Sequence, residues 1–173
     1  MCCKFNICKL IPIFIIFILI VLVFVVLISN ENTENKSILT AIAKDGDNTE
    51  IGNAIIKFSQ NEIVEGTAIS HQNGSSEIKI NESGIYQISY QLFGISNTNG
   101  TFNFNAVILL NGTPLDDTLN SSPVLKENIV NNRMTLTSTV ILRLNAGDII
   151  QLGAVSLEDI SYTSARIDIE KIS

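Results

Sequence analysis

The chain has 173 residues, three cysteines, one histidine, no tryptophan and a formal charge of −6. Setting Lys4 and Lys9 apart leaves −8 on everything after the first 29 residues, which argues against nucleic acid and against an anionic membrane surface as partners. No cysteine follows Cys8, so a packed core or self-association, not a disulfide, must stabilise the remainder.

Residues 10–28 form one unbroken apolar run without charge or polar side chain. About 20 such residues in a helix cross the hydrocarbon core of a bilayer. A cleaved signal has a shorter apolar region and ends at a small-x-small site. Here the exit reads Leu27-Ile28-Ser29-Asn30, which favours a transmembrane signal anchor over 10–29. Pro12 falls in the first turn of that helix, where a missing N–H costs little. Lys4 and Lys9 precede it, whereas Glu31 and Glu34 follow it. The positive-inside rule therefore predicts a single-pass protein with residues 1–9 as a cytoplasmic stub and the C-terminal part outside the cell. Cys2, Cys3 and Cys8 all lie in the stub; they read as reduced thiols, with S-acylation the alternative, and they lack a fourth ligand for zinc.

Residues 30–50 read as a stalk or linker. Within it, Ile38-Leu39-Thr40-Ala41-Ile42-Ala43-Lys44 either extends the helix or packs on the domain, and Asp45-Gly46-Asp47-Asn48 reads as a turn. From 51 to 173 the signal is β throughout. Strands are predicted at 54–58, 66–71, 77–80, 85–94, 101–110, 134–144, 149–155 and 165–172. The breaks carry turn chemistry, as in Asn73-Gly74, Asn111-Gly112-Thr113-Pro114 and Asn145-Ala146-Gly147-Asp148. No segment has a 3.6-residue period, so the fold class is an all-β sandwich or jelly roll.

Alternation assigns the faces. Tyr86, Ile88, Tyr90 and Leu92 share one face of their strand, and Gln87, Ser89 and Gln91 the other. In the strand from Met134, the inner set is Met134, Leu136, Val140, Leu142 and Leu144; the outer set is Thr135, Thr137, Thr139 and Ile141. A solvated strand face ordinarily carries Lys and Glu, which guard against edge pairing. These seven outer residues carry no charge and form the candidate subunit interface; ordinary preference of Thr for strands is the alternative reading. The run Ala106-Val107-Ile108-Leu109-Leu110 is apolar on both faces, so its outer side needs a cover from a neighbouring protomer or from a loop of the same chain.

Glu82-Ser83-Gly84-Ile85-Tyr86-Gln87-Ile88-Ser89-Tyr90 resembles the G-x-Y-x-[IF]-x-Y strand of the complement globular-head and tumour necrosis factor superfamily. Leu142-Arg143-Leu144-Asn145-Ala146-Gly147-Asp148-Ile149-Ile150-Gln151-Leu152 is similar to its L-x-x-G-D-x-[IV]-x-L hairpin. With Leu109-Leu110-Asn111-Gly112-Thr113 between them, the order looks most like the C-terminal domain of collagen-like exosporium glycoproteins of spore-forming bacteria. The resemblance implies a jelly roll of about ten antiparallel strands, assembled as a homotrimer with Gln87, Ser89, Thr135, Thr137 and Thr139 facing the axis. The chain departs from the spore proteins in lacking a Gly-X-Y stalk; a membrane helix stands in its place, a layout more like a membrane-bound tumour necrosis factor-type ligand.

The chemistry of enzymes is sparse. His71 has no nucleophile motif around it, and Ser70 beside it is adjacency in sequence only. Asp116-Asp117 and Glu158-Asp159 are acidic loop pairs of the kind usually solvated; holding Ca²⁺, as some superfamily members do, is the alternative. No phosphate loop, zinc spacing or basic stripe occurs, so no catalytic residue, metal ligand or cofactor is predicted. Six Asn-x-Ser/Thr triplets are present, at Asn35, Asn73, Asn81, Asn99, Asn111 and Asn120. The expectation is a membrane-anchored, surface-displayed trimer with a structural or adhesive role and a possible protein or glycan partner. A tumour necrosis factor-like ligand that binds a receptor between protomers is the alternative function, and a spore surface the alternative location.

Overall fold

A computed structural model describes residues 36–44, 54–96, 102–124, 132–156 and 160–173. The stub and apolar segment expected at 1–29 lie outside them. Among the described residues no helix is long and apolar enough to cross a membrane.

The described chain is two antiparallel sheets. Strands β1 (Ile38–Ala43), β3 (Gln60–Glu65), β6 (Gly84–Ser96), β10 (Asn132–Leu144) and β12 (Ile160–Lys171) form a five-stranded sheet in the order β10-β6-β12-β1-β3. The seven-stranded sheet runs β4 (Ile69–His71), β5 (Ile78–Ile80), β11 (Ile149–Ser156), β7 (Phe102–Leu110) and β8 (Thr113–Pro114). To it β2 (Ala54–Ile55) adds beside β11, and β9 (Asn120–Val124) beside β7. The all-β jelly-roll expectation holds, with twelve described strands in place of about ten.

Alternation builds the core as expected. Tyr86, Ile88, Tyr90 and Leu92 on β6 are buried, and so are Met134, Leu136 and Leu144 on β10, while Val140 and Leu142 pack against the core in part. Leu39, Ile167 and Ile169 join them from the same sheet, and Ile78, Phe104, Ile108, Ile150 and Leu152 face them from the other. Each large apolar side chain removed from water contributes about 1.5–3 kcal/mol. The core also holds polar groups, each with a partner. The Tyr90 hydroxyl lies 3.1 Å from the carbonyl of Ala106 and 3.0 Å from that of Thr118. The Thr118 hydroxyl accepts from Ile108 N at 2.8 Å and donates to Leu115 O at 2.7 Å. That side chain bridges the gap in β7's ladder between β8, which pairs at Leu109–Leu110, and β9, which pairs at Phe102–Ala106.

Two expectations change, and one that was left open is decided. The linker assigned to 30–50 gives way at Lys36, because Ile38–Ala43 is a strand inserted between β12 and β3, with Leu39, Ala41 and Ala43 in the core. The domain thus begins before 51. Gln60–Glu65, absent from the predicted strands, is an edge strand; five of its six residues are exposed, so it has no apolar alternation to read. Finally, the outward side chains of Val107 and Leu109 are covered without a second subunit. They close over Gly153, where an added Cβ would stand 2.7 Å from Leu109 Cδ1. Both are buried, at 6% and 9% exposure.

Candidate functional site

The seven residues singled out on the polar strand faces come together on the outer face of the five-stranded sheet. Thr135 lies opposite Phe93, Thr137 opposite Gln91, Thr139 opposite Ser89 and Ile141 opposite Gln87. The three threonines and Gln87 are exposed, Ser89 and Gln91 half-buried. Ile141 is 60% exposed, on the terminal strand of the sheet.

The rows continue across the sheet, and here the sequence reading was incomplete. One row is Thr139, Ser89, Asp168, Thr40 and Ile63; the next is Thr137, Gln91, Arg166, Ile42 and Gln60. Arg166 Nε donates to Asp168 Oδ1 at 3.1 Å and Oδ2 at 2.9 Å, and Arg166 Nη1 reaches Glu62 Oε2 at 3.1 Å. Thr40 Oγ1 donates to Asp168 Oδ1 at 2.6 Å. Glu62 stands where the β1–β3 register shifts, between the pairings of Ile63 with Thr40 and Asn61 with Ala41. The extra residue of such a bulge re-aims a side chain, here toward Arg166. The hydrogen bond from Arg166 to Asp168 comes first in holding the guanidinium protonated, and burial opposes it.

The face therefore has two halves. From Thr135 to Ile141 on β10 and from Gln87 to Phe93 on β6 it is uncharged amide, hydroxyl, isoleucine and phenylalanine, and the exposed Arg143 is the next outward residue of β10. On β12, β1 and β3 it carries an ion cluster with one more carboxylate than guanidinium. Between the halves lies an open hollow of about 470 Å³, lined by Ser89, Gln91, Thr137, Thr139, Arg166 and Asp168 among others. Arg166 and Asp168 were missed, although alternation in the predicted strand 165–172 would place them outward once Ala165, Ile167 and Ile169 were read as core.

The other candidates do not assemble into chemistry. His71 Nδ1 is 2.6 Å from Asn61 Oδ1 and Nε2 is 3.0 Å from Ser75 O, while its ring meets Phe58 edge-on at 6.0 Å. Ser70 Oγ donates elsewhere, to Asn81 Oδ1 at 3.2 Å, so the Ser70–His71 pair forms no dyad. Asp116 and Asp117 are exposed in a single 3₁₀ turn, Asp116–Thr118. Glu158 and Asp159 lie outside the described residues. Among the described residues no three His, Cys, Asp or Glu side chains are grouped to hold a metal.

No protein-family model matches the chain, and no curated protein does. Solved structures do. The crystal structure of murine APRIL at pH 8.0 is similar at 17% identity with a TM-score of 0.52, over 79% of this chain and 99% of that one. The globular domain of the zebrafish complement 1qA protein is similar at 10% identity with a TM-score of 0.53, over 80% of this chain and 98% of that one. At such identities the likeness is one of fold alone: the domain shares the jelly-roll fold of these two structures.

Proposed function

We propose that the chain is a membrane-anchored surface protein whose jelly-roll head assembles as a homotrimer through the outer face of the five-stranded sheet, in a structural or adhesive role. One observation carries this reading: from Thr135 to Ile141 and from Gln87 to Phe93 that face has no charged side chain, although β10 is the terminal strand of its sheet and its nearest described outward charge is Arg143, at the strand's far end. An edge strand left in water is ordinarily guarded by charge. A closed ring of copies would cover the uncharged half, bury Ile141 and bring the ion cluster of each protomer toward the boundary with the next. Self-association would also stabilise a small domain without disulfides by mass action. The membrane anchor rests on residues 10–29 and the flanking lysines, and a spore surface is the other location consistent with the motif order.

A second reading, a tumour necrosis factor-type ligand engaging a receptor between protomers, rests on the likeness of fold to APRIL. It calls for exposed aromatics near the protomer boundary. Tyr162 instead packs into the core, stacked on Phe104 at 5.8 Å, and Phe93 is half-buried. The structural or adhesive role is therefore preferred. Native mass spectrometry of the full chain released from detergent tests the assembly. Three copies per particle are expected, and a folded monomer would remove the basis for assigning an axis.

A further inference from the structure

Four of the six Asn-x-Ser/Thr triplets lie among the described residues, and the fold treats them differently. Asn81 Nδ2 donates to Thr67 O at 2.9 Å while its Oδ1 accepts from Ser70. Asn111 Nδ2 donates to Asp148 Oδ1 at 2.9 Å, its Oδ1 accepts from Ile149 N at 2.9 Å, and its backbone sits at φ 52°. Asn120 Nδ2 donates to Thr137 O. Joining a sugar to any of these nitrogens replaces one amide hydrogen with a pyranose ring. The ring must then sit beside the bonded oxygen, and only the nitrogen's second hydrogen is left to keep the turn or strand contact.

Asn73 is the exception. It is exposed at the tip of the β4–β5 hairpin, and its amide holds no hydrogen bond among the described residues. The turn is fixed without it. Gly74 N donates to Phe58 O at 2.7 Å, Ser75 N to Gln72 O at 2.9 Å and Phe58 N to Ser75 O at 2.9 Å. Gly74 adopts φ +85°, and a Cβ built there meets nothing within 4 Å, so the space around the tip is open. The hairpin belongs to the seven-stranded sheet, away from the face assigned to assembly.

We propose that Asn73, in the triplet Asn73-Gly74-Ser75, is the site that carries an N-linked glycan on the folded chain, in preference to Asn81, Asn111 and Asn120. The inference rests on the exported orientation proposed above, because the donor is a polyprenyl-diphosphate-linked oligosaccharide on the far side of the membrane. In the transfer, Asn73 Nδ2 bonds to the anomeric carbon as that carbon's bond to the diphosphate oxygen breaks. The lipid diphosphate leaves, and the transferase takes up the proton lost from nitrogen.

The test is translation of the full chain with endoplasmic-reticulum microsomes, read in two independent ways. Protease protection of the C-terminal domain reports export. Glycosidase treatment in heavy-oxygen water, followed by peptide mass spectrometry, maps each occupied asparagine on the unmutated chain. The expected result is a protected domain with label at Asn73 and none at Asn81, Asn111 or Asn120, and loss of that glycan in Asn73→Gln. A protected domain without label at Asn73, or with label at Asn111 in its place, overturns the site while leaving export intact. An unprotected domain overturns the export reading and the glycan with it.

Discussion

Gly66 faces Ser37 across a gap that admits no side chain: a Cβ added to Gly66 would stand 2.1 Å from Ser37 Oγ and 2.7 Å from Lys36 O. Ser37 is itself buried, and its hydroxyl accepts from Ala68 N at 3.3 Å. The turn after β3 is thus closed on the residues that lead into β1. Gly66 also sits at φ +74°, where an L side chain costs about 1–2 kcal/mol. Gly66→Ala is expected to lose at least about 2 kcal/mol in a denaturant titration. Gly74→Ala, at φ +85° in open space, should lose only the conformational part. Equal losses in the two would show that the Ser37 contact yields freely.

Thr118 supplies a second local test. Its hydroxyl is what satisfies Ile108 N where the β7 ladder is interrupted, and the residue is 1% exposed. Thr118→Val keeps the shape and removes the acceptor, stranding a buried N–H at a cost of about 1–3 kcal/mol. A melting temperature within a degree or so of the parent would mean that another group replaces the hydroxyl.

These two contacts lie at places that sequence reading does not reach. Period-two alternation exposed β6 and β10 because one face of each meets the core and the other does not. β1 escaped because it is an inner strand with Thr40 buried on its outer face, so Ile38–Ala43 shows no polar side to mark it. β3 escaped for the opposite reason, being an edge with little buried on either side. With both strands unread, the partners of Arg166 and Asp168 were unread too. Glu62 reaches Arg166 only through a bulge, and a one-residue register shift leaves no trace in composition. The candidate face was therefore legible on its β6–β10 half, where alternation is clean, and not on the half carrying charge.

Stability should fall at both ends of the pH scale, for groups whose shifts have opposite sign. Asp148 is held below the ordinary 3.8, first by the hydrogen bond from Asn111 and then by Asn145 N; Glu82 is held below 4.5, first by Lys171 and then by Thr67. A folded carboxyl with a lowered pKa contributes stability above its unfolded value and loses it as pH falls through the folded one. Tyr90 and Tyr162 are pushed by burial from 10.0 up to about 12. Their contribution is complete below pH 10.0 and lost as pH rises toward about 12. Melting curves should be flat between these limits, and Asn111→Ala should reduce the acid slope. An unchanged slope in that variant would show that Asp148 is not a source of it.

The face assignment itself is open to a single charge. Thr139 lies opposite Ser89 in the middle of the uncharged half, exposed in the isolated chain. A lysine there is well tolerated by an exposed strand position, with a change in folding stability within about 0.5 kcal/mol. Around a threefold axis the same substitution brings three like charges together out of water, a cost of several kcal/mol in each assembly. Thr139→Lys should therefore leave the melting of the subunit fold close to the parent while the mass by light scattering falls to that of one chain. Ile55→Lys, at an exposed apolar residue on the seven-stranded sheet, should leave the mass unchanged. If Thr139→Lys retains the parent mass and Ile55→Lys loses it, the uncharged rows of β6 and β10 are an ordinary solvated surface and the subunits meet through the opposite sheet.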